Sequence, residues 1–420
     1  MNNQCTYDTM KITLITFASS FMTPSAMRTT HQKMLSALEQ HFDVTLLDYQ
    51  DIDSLPSDAV CVPFIASGGT ERLYQQCFEK LPRPYLLLAD GQANSLAASL
   101  EISAWIRQSG QKSEILHGDM DTIIRRIKQY AEDTQSLRAL KDKRIGVIGA
   151  PSSWLIASDV DYFLAKQRWG VNYVDIPLEH LIEYYHATSG DDYTTEVQHL
   201  IREAVDLREG TQHDVYEALR LYHALKRIVI EERFNAITLS CFSLIECTGT
   251  TGCLALSLLN DEGIVAGCEG DLQTVFTMLL AKTLTGQDTF MANPSIIDTK
   301  RNELLISHCT IGLKQTRRYL LRSHFESGKG IGIQGILPEG PITLVKCGGK
   351  CLDTFFVSDG TLLENTDHPN MCRTQLRLKL QHPVNYFLHH PIGNHHILIE
   401  GHHALQLQNF LQIMGCSKIE

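Results

Sequence analysis

Two carboxylates in the second half of the chain, Glu269 and Asp271, directly follow a short apolar run, where a strand would end and a binding site could begin. They lie in the segment Gly263–Gly286, whose apolar opening Ile264–Cys268 predicts a short buried strand. After the two acids the segment continues as an amphipathic helix that a glycine closes. Ligands of open α/β sheets bind in the crevice outside the carboxyl ends of the strands. Because burial of an acid there is costly without a cation or hydrogen-bond donors, Glu269 is the first candidate for chemistry.

Other potential ligands also follow apolar runs. Glu246 comes after the run NAITLSCF, and His308 ends the run LLISHC. Either His395 or His396, from a histidine-rich turn near the C-terminus, could join them. Mixed carboxylate and imidazole ligands suit manganese, cobalt, iron or zinc. Together with Glu269 these residues predict a divalent-cation site, and the alternative is that Glu246 caps a turn and the histidines are solvated.

The elements that must position these residues repeat a strand–helix pattern. Four strand-like runs alternate with helical segments in the first part, and a second series begins at KRIGVIG. Such alternation predicts parallel sheets with helices on both faces. From about Gly328 short alternating segments follow and favour an antiparallel sheet, with Asn293 in a loop before them. We therefore predict an α/β protein with two Rossmann-like, doubly wound parallel-sheet domains and a β-rich C-terminal domain, with the boundaries 1–142, 143–295 and 296–420.

Composition excludes several classes of function. A formal charge of −11 argues against a nucleic-acid partner. The loop TGTTG lacks the lysine of a P-loop, and RIGVIG lacks the third glycine of a dinucleotide fingerprint. The 12 cysteines are scattered, as in a protein with reduced thiols. The N-terminal run KITLITFASS is too short and polar for a signal peptide, and no run has transmembrane length. We expect a soluble, cytoplasmic protein without a membrane partner.

Four short motifs, CEGD, FMAN, SHCT and GNHH, follow one another in the order found in a known family. As a set they resemble the L-fucose isomerase and L-arabinose isomerase superfamily, and the resemblance is strongest from Arg144 to the C-terminus. It implies two Rossmann-like domains and a β-rich domain, a divalent cation that is usually Mn²⁺, and the interconversion of an aldose with its ketose. It also implies a homo-oligomer, a trimer or hexamer, with active sites completed at subunit contacts.

The resemblance assigns roles to individual residues. Glu269 of CEGD matches a carboxylate that binds the metal and shuttles protons. His308 of SHCT matches a histidine ligand, and His396, the second histidine of GNHH, matches the late metal histidine. The chain departs from the family at FMAN, where Asn293 replaces the second catalytic acid. An asparagine can coordinate a metal through its carbonyl oxygen but cannot act as a general base. Asp271, or a metal-bound water, would then assist Glu269.

The leading hypothesis is a manganese-dependent sugar isomerase that works through an enediol, with Glu269 as base and metal ligand and Asp271 as the second catalytic residue. Its partner would be a small-molecule sugar. One alternative is a non-catalytic sugar-binding or regulatory homologue, which Asn293 favours. Another is a diverged metal-dependent enzyme acting on a sugar acid or sugar phosphate. Arg373 would be a candidate anion site for such a substrate, although a structural ion pair is its simpler role.

Overall fold

A computed structural model of the protein describes residues 10–55, 59–81, 83–109, 111–188 and 192–420. The described chain forms two compact units: one contains residues 10–138 and 412–415, and the other contains residues 139–411 and 416–420. Among these residues every helix is too short or too polar to pass through a membrane. The predicted domain boundaries after residues 142 and 295 stay predictions.

The first unit is built on a five-stranded parallel sheet. Its strands are β1 (Lys11–Phe17), β2 (Asp43–Asp48), β3 (Val60–Ile65), β4 (Tyr85–Leu88) and β5 (Ser113–Leu116). They pair in the order β2-β1-β3-β4-β5, which is a doubly wound arrangement. The helices are α1 (Pro24–Thr30), α2 (Gln32–Glu39), α3 (Glu71–Cys77), α4 (Ser95–Gln108) and α5 (Met120–Leu140).

Strand β1 shows why this sheet is covered on both faces. Ile12 and Leu14 pack into one apolar cluster, and Ile15 and Phe17 pack into the cluster on the other face. A strand that is buried on both sides appears in the sequence as a continuous apolar run. The strand predicted from this run is confirmed, and its burial on both faces fits its interior position between β2 and β3.

The second unit begins with a four-stranded parallel sheet in the order β10-β9-β6-β7. These strands are β6 (Arg144–Ile148), β7 (Asn172–Ile176), β9 (Ala236–Leu239) and β10 (Val265–Cys268). The short β8 (Leu207–Arg208) pairs instead with β13 (Arg318–Arg322), which also pairs with β14 (Gly332–Ile336). The helices are α6 (Tyr162–Trp169), α7 (Leu178–Ala187), α8 (Thr194–Glu203), α9 (Gln212–Glu231), α10 (Cys241–Thr248), α11 (Cys253–Asp261) and α12 (Leu272–Thr285).

An antiparallel barrel of six strands follows in the same unit. Its strands are β11 (Phe290–Asp298), β12 (Glu303–His308), β15 (Gly340–Gly348), β16 (Thr354–Asn365), β17 (Thr374–Leu380) and β18 (His396–Glu400). They pair in the order β15-β18-β11-β12-β17-β16, and pairing of β15 with β16 closes the barrel. The remaining elements are α13 (Tyr386–His389), α14 (Ala404–Ile413), β19 (Ser417–Lys418), and short 3₁₀ turns at Tyr49–Ser54, Phe78–Lys80, Gln92–Asn94 and Leu313–Gln315.

The predicted class, parallel α/β sheets followed by antiparallel β structure, is confirmed. Two local predictions are wrong. The run NAITLSCF stops being a strand at Leu239, because helix α10 already begins at Cys241. Asn293 does not lie in a loop, because β11 begins at Phe290 and is the first strand of the barrel.

Candidate functional site

The turn between β10 and α12 has the strand–acid–helix arrangement that the sequence predicts. Glu269 directly follows β10 and, like Gly270, has a left-handed backbone, with φ values of 63° and 69°. Asp271 caps α12 by accepting a hydrogen bond from the backbone N–H of Thr274 at 2.8 Å. A Cβ atom at Gly270 would lie 2.6 Å from Cα of Pro151, so the turn has room only for glycine. The turn therefore fixes the direction in which Glu269 leaves the sheet.

Glu269 meets two histidines from the barrel. Oε1 of Glu269 lies 3.4 Å from Nε2 of His395 and 3.8 Å from Nε2 of His308. His308 ends β12, and His395 immediately precedes β18, so different strands bring the two imidazoles together. One potential ligand atom from each residue lies within 4.8 Å of the others. One carboxylate and two imidazoles form a donor set that manganese, iron, cobalt and zinc accept.

Asp271 lies behind His395 and orients its ring. Oδ2 of Asp271 accepts a hydrogen bond from Nδ1 of His395 at 2.9 Å and lies 3.8 Å from Nζ of Lys346. The side chains of all three residues are fully buried. A carboxylate on the far nitrogen is the usual support of a metal-binding histidine, because it fixes both the tautomer and the ring orientation. Asp271 is thus placed to hold His395 and has no exposed surface with which to meet a substrate.

The Nε2 atom of His395 is buried and has no hydrogen-bond partner among the described residues. Oε1 of Glu269 is close enough for an ion pair with it but does not complete a hydrogen bond. Buried polar atoms are almost always paired in folded proteins, so an unpaired one indicates a further partner such as a water molecule or an ion. The unpaired nitrogen faces the carboxylate, where a divalent cation would satisfy both. The three residues therefore fit a metal ion.

The electrostatic interactions among Glu269, Asp271 and His395 favour the ionised form of each side chain. Burial, the largest effect, opposes ionisation of Glu269, but the imidazoles of His308 and His395 together outweigh it and hold the pKa of the carboxyl below its usual range. Burial likewise lowers the pKa of His395, but hydrogen bonding to Asp271 and the nearby Glu269 carboxylate raise it to about 9. Lys346 and His395 overcome the burial of Asp271 and lower the pKa of that carboxyl too.

The structure does not bring His396 to this group. Its Nδ1 faces the carbonyl oxygen of Asn394 at 3.1 Å, and its Nε2 faces the hydroxyl of Tyr386 at 3.1 Å. The same hydroxyl accepts a hydrogen bond from the backbone N–H of Ile392. Burial lowers the pKa of His396 to about 3, so the ring is neutral. With both nitrogens engaged, His396 ties together the turn that presents its neighbour, and its assignment as a ligand stays a prediction.

Asn293 lies on strand β11, which pairs with the strands that carry His308 and His396. Its neighbour Ala292 pairs with His396, and Asn293 itself pairs with Ser307, one residue before His308. Its side-chain oxygen accepts a hydrogen bond from Nδ2 of Asn394 at 3.2 Å. The barrel therefore carries Asn293 toward the site, and its role as a metal ligand stays a prediction.

Two other candidates from the sequence lie elsewhere. Glu246 is exposed on α10 and is not in the metal-ligand group, because the preceding strand ends early and the chain has turned into a helix. Arg373 is buried and paired: it donates to the backbone carbonyl of Ser323 at 2.8 Å and forms an ion pair with Glu209 at 3.0 Å. These contacts fit a structural ion pair, the simpler of the two roles that the sequence suggests for Arg373.

Sequence reasoning missed two residues that contact the acids. The indole N–H of Trp154 donates to Oε2 of Glu269 at 2.8 Å. Trp154 lies in the turn after β6, and a turn after another parallel strand was the signal that could have identified it. Lys346 lies in the middle of the apolar run of β15, where a lone buried lysine indicates a buried carboxylate.

Comparison with known proteins points to sugar isomerases. No protein-family model matches the chain. The chain is 21% identical over 265 residues to the sulfoquinovose isomerase of Alkalicoccus urumqiensis, covering 61% of this chain and 60% of the relative. It is 21% identical over 223 residues to that of Priestia aryabhattai, covering 52% and 50%. A stretch of 92 residues is 32% identical to that of Clostridium sp. (strain MSTE9), covering 22% and 21%.

These matches span 60% or less of the length of the curated relatives. Among solved structures, D-threo-3-hydroxyaspartate dehydratase from Delftia sp. HT23 aligns with 91% of this chain and 87% of its own, with 10% identity and a TM-score of 0.13. A TM-score this low does not indicate a shared fold. The chain is thus distantly similar in sequence to sulfoquinovose isomerases.

Proposed function

We propose that the protein is a metal-dependent aldose–ketose isomerase of the L-fucose and L-arabinose isomerase superfamily. Its metal ligands would be Glu269, His308 and His395, with Mn²⁺ as the ion. The observation that carries the proposal is the unpaired, buried Nε2 of His395 facing the Glu269 carboxylate. The distant similarity to sulfoquinovose isomerases supports a sugar as the substrate. Assembly as a trimer or hexamer is part of the same proposal.

Glu269 has the properties of both a ligand and a proton acceptor. Its side chain is 13% exposed, so a substrate can reach it, and its depressed pKa keeps it ionised at neutral pH, as both roles require. A low pKa also makes the carboxylate a weak base, so the proton transfer depends on acidification of the sugar C–H group. A divalent cation bound here would polarise the oxygens of a sugar and so acidify the neighbouring C–H group. Glu269 would take that proton from C2 of the sugar and return it to C1, and water would carry the hydroxyl proton from the oxygen on C2 to the oxygen on C1. Together the two transfers convert an aldose into a ketose through an enediol.

Asp271 acts through His395 in this proposal and does not exchange protons with the sugar. Its carboxylate holds Nδ1 of His395, which leaves Nε2 directed at Glu269. Lys346 balances the charge of Asp271, from which its Nζ lies 3.8 Å away. The same Nζ donates a hydrogen bond to the hydroxyl of Thr274 at 2.9 Å. The predicted catalytic role of Asp271 thereby becomes a positioning role, as expected for a fully buried carboxylate.

A screen of aldoses tests the function directly. Purified protein reconstituted with Mn²⁺ should convert at least one aldose to its ketose, and a chelator should stop the reaction until Mn²⁺ is restored. The panel should contain pentoses, hexoses, deoxy sugars and sulfoquinovose, because the relatives are named for the last. A protein that binds the metal tightly and turns over none of these sugars would contradict the proposal.

Metal binding should release a proton. At neutral pH the metal-free protein holds a proton on His395, whose pKa is raised to about 9, and a metal ion needs the neutral ring. We therefore expect affinity for Mn²⁺ to rise up to about tenfold per pH unit between pH 7 and pH 9 and then to level off. Calorimetry in buffers of different ionisation enthalpy measures the release. Affinity that does not depend on pH over this range would contradict a protonated His395 in the metal-free protein.

A sugar-binding protein without turnover is the second candidate, and Asn293 favours it. Asn293 stands where the family has its second acid, and its side-chain oxygen already contacts Asn394. In that case a sugar should raise the melting temperature of the protein with no chemical conversion. The replacement Asn293→Asp should then leave the protein inactive, whereas in a one-acid isomerase it should change an existing rate.

A further inference from the structure

A second loop is built onto the turn that carries Glu269. Backbone N–H of Ser152 donates to the carbonyl oxygen of Glu269 at 3.0 Å. Pro151 packs so closely on Gly270 that no side chain fits between them. The indole N–H of Trp154 then donates to the carboxylate of Glu269. Three contacts within four residues make the loop after β6 a structural part of the site.

The contact with Trp154 gives the two carboxylate oxygens of Glu269 different partners. Oε2 accepts the indole N–H at 2.8 Å, while Oε1 faces the Nε2 atoms of His395 and His308 at 3.4 and 3.8 Å. The indole N–H can only donate a hydrogen bond, so it can hold an ionised carboxylate oxygen in place. It cannot itself bind a metal ion. The hydrogen bond is charge-assisted, because the depressed pKa of Glu269 keeps it ionised.

The indole of Trp154 also has an aromatic support and an open face. Its ring meets the ring of Phe242 edge to face at a centroid distance of 4.9 Å, and Phe242 meets His324 in the same manner at 5.8 Å. Trp154 nevertheless remains 50% exposed. The ring is only half-buried, so its hydrogen bond to the carboxylate of Glu269 is a specific contact in addition to its packing on Phe242.

We propose that Trp154 is a positioning residue: its indole N–H fixes Oε2 of Glu269, so that the carboxylate presents the single oxygen Oε1 to the imidazoles of His308 and His395. The inference rests on the metal site of the proposed function, but it does not depend on the sugar or on turnover. Removal of the indole N–H lets the carboxylate rotate and weakens the metal site. Because Trp154 touches a ligand, its fluorescence also reports whether a metal is bound.

Two substitutions separate the N–H group from the ring. Trp154→Phe keeps an aromatic ring and removes the donor, and Trp154→Ala removes both. We expect each to weaken Mn²⁺ affinity about tenfold or more, as for other outer partners of metal ligands. The melting temperature of the metal-free protein should stay within about 2 °C in Trp154→Phe, because half of the ring is exposed and Phe keeps an aromatic ring beside Phe242. Trp105→Phe is the matched control, since Trp105 packs on Phe78 in the other unit.

Fluorescence tests whether the metal binds beside Trp154, while a loss of Mn²⁺ affinity at an unchanged melting temperature separates positioning from a purely structural role. The chain has three tryptophans, and Trp154 is the one that contacts Glu269. Paramagnetic Mn²⁺ should quench part of the wild-type emission, and Trp154→Phe should remove that quenched part while Trp105→Phe retains it. The inference is overturned if Trp154→Phe binds Mn²⁺ as tightly as the wild type, if the quenching survives in that variant, or if the wild type binds no Mn²⁺. Wild-type protein that binds Mn²⁺ without isomerising any sugar contradicts only the proposed function.

Discussion

Replacement of Glu269 by Gln is expected to lower kcat for sugar isomerisation by a factor of about 10² to 10⁴, the range for loss of a general acid–base group. Gln keeps the shape of the side chain, and its carbonyl oxygen can still accept the indole N–H of Trp154. It carries no negative charge, however, and cannot take a proton from carbon. Affinity for Mn²⁺ should fall as well, because the anionic ligand is lost. Steady-state kinetics at saturating Mn²⁺ separates the loss of the base from the loss of the metal.

Glu246→Gln is the matched control for this substitution. The sequence places Glu246 after a parallel strand, as it places Glu269, yet the structure leaves it exposed on α10. The control should retain wild-type activity and metal affinity. If Glu269→Gln also retained activity at saturating Mn²⁺, another group would have to be the base. Exchange of solvent deuterium into the sugar at the carbon next to the carbonyl group would then identify whether proton transfer still occurs.

The site shows which parts of a fold can be predicted from sequence. The turn at Glu269 was predictable because its signals are local: an apolar strand, two acids, and a helix that ends at Gly286 with a left-handed backbone. The strand-to-helix change at Cys241 was not, because the apolar run simply continues into α10 and hydrophobicity alone does not distinguish the two states. The exposure of Glu246 follows from that single boundary.

The residues that contact Glu269 and Asp271 could not be predicted from local sequence patterns. Trp154 contacts Glu269 across 115 positions, and Lys346 contacts the first turn of α12 across 72 positions. Such contacts depend on how the barrel and the parallel sheet pack within the second unit, which no motif of a few residues specifies. Their residue types nevertheless fit, because a donor-only indole and a buried ammonium are the complements that buried carboxylates need.

The adjacent residues His395 and His396 show that a sequence motif can identify a histidine ligand and still leave its exact position open. The motif GNHH indicates a histidine ligand, but adjacent residues leading into a strand point to opposite sides, so a difference of one residue decides which ring enters the site. The decision is made by the turn before β18. There Tyr386 binds both Ile392 and His396, and this holds His396 inside while His395 faces Asp271 and Glu269.

Matched substitutions of these two histidines should have opposite effects. His395→Gln removes the unpaired Nε2 and should weaken Mn²⁺ binding by more than about 100-fold, beyond the 10- to 100-fold loss typical of removing an outer partner. It should also abolish the pH dependence of metal affinity, because the proton that Mn²⁺ displaces resides on His395. The free energy of unfolding of the metal-free protein should change less than in His396→Gln, because the amide of Gln can still donate a hydrogen bond to Asp271.

His396→Gln should leave Mn²⁺ affinity within about threefold of the wild type, because its imidazole is engaged with Asn394 and Tyr386. It should lower the free energy of unfolding of the metal-free protein by about 1–3 kcal/mol, the cost of leaving buried hydrogen-bonding groups unpaired. Mn²⁺ titrations and urea unfolding of the two variants measure both quantities. If His396→Gln lost the metal and His395→Gln kept it, the ligand assignment would return to the histidine that the family resemblance implies, and the turn before β18 would have to rotate by one residue to bring that ring to Glu269.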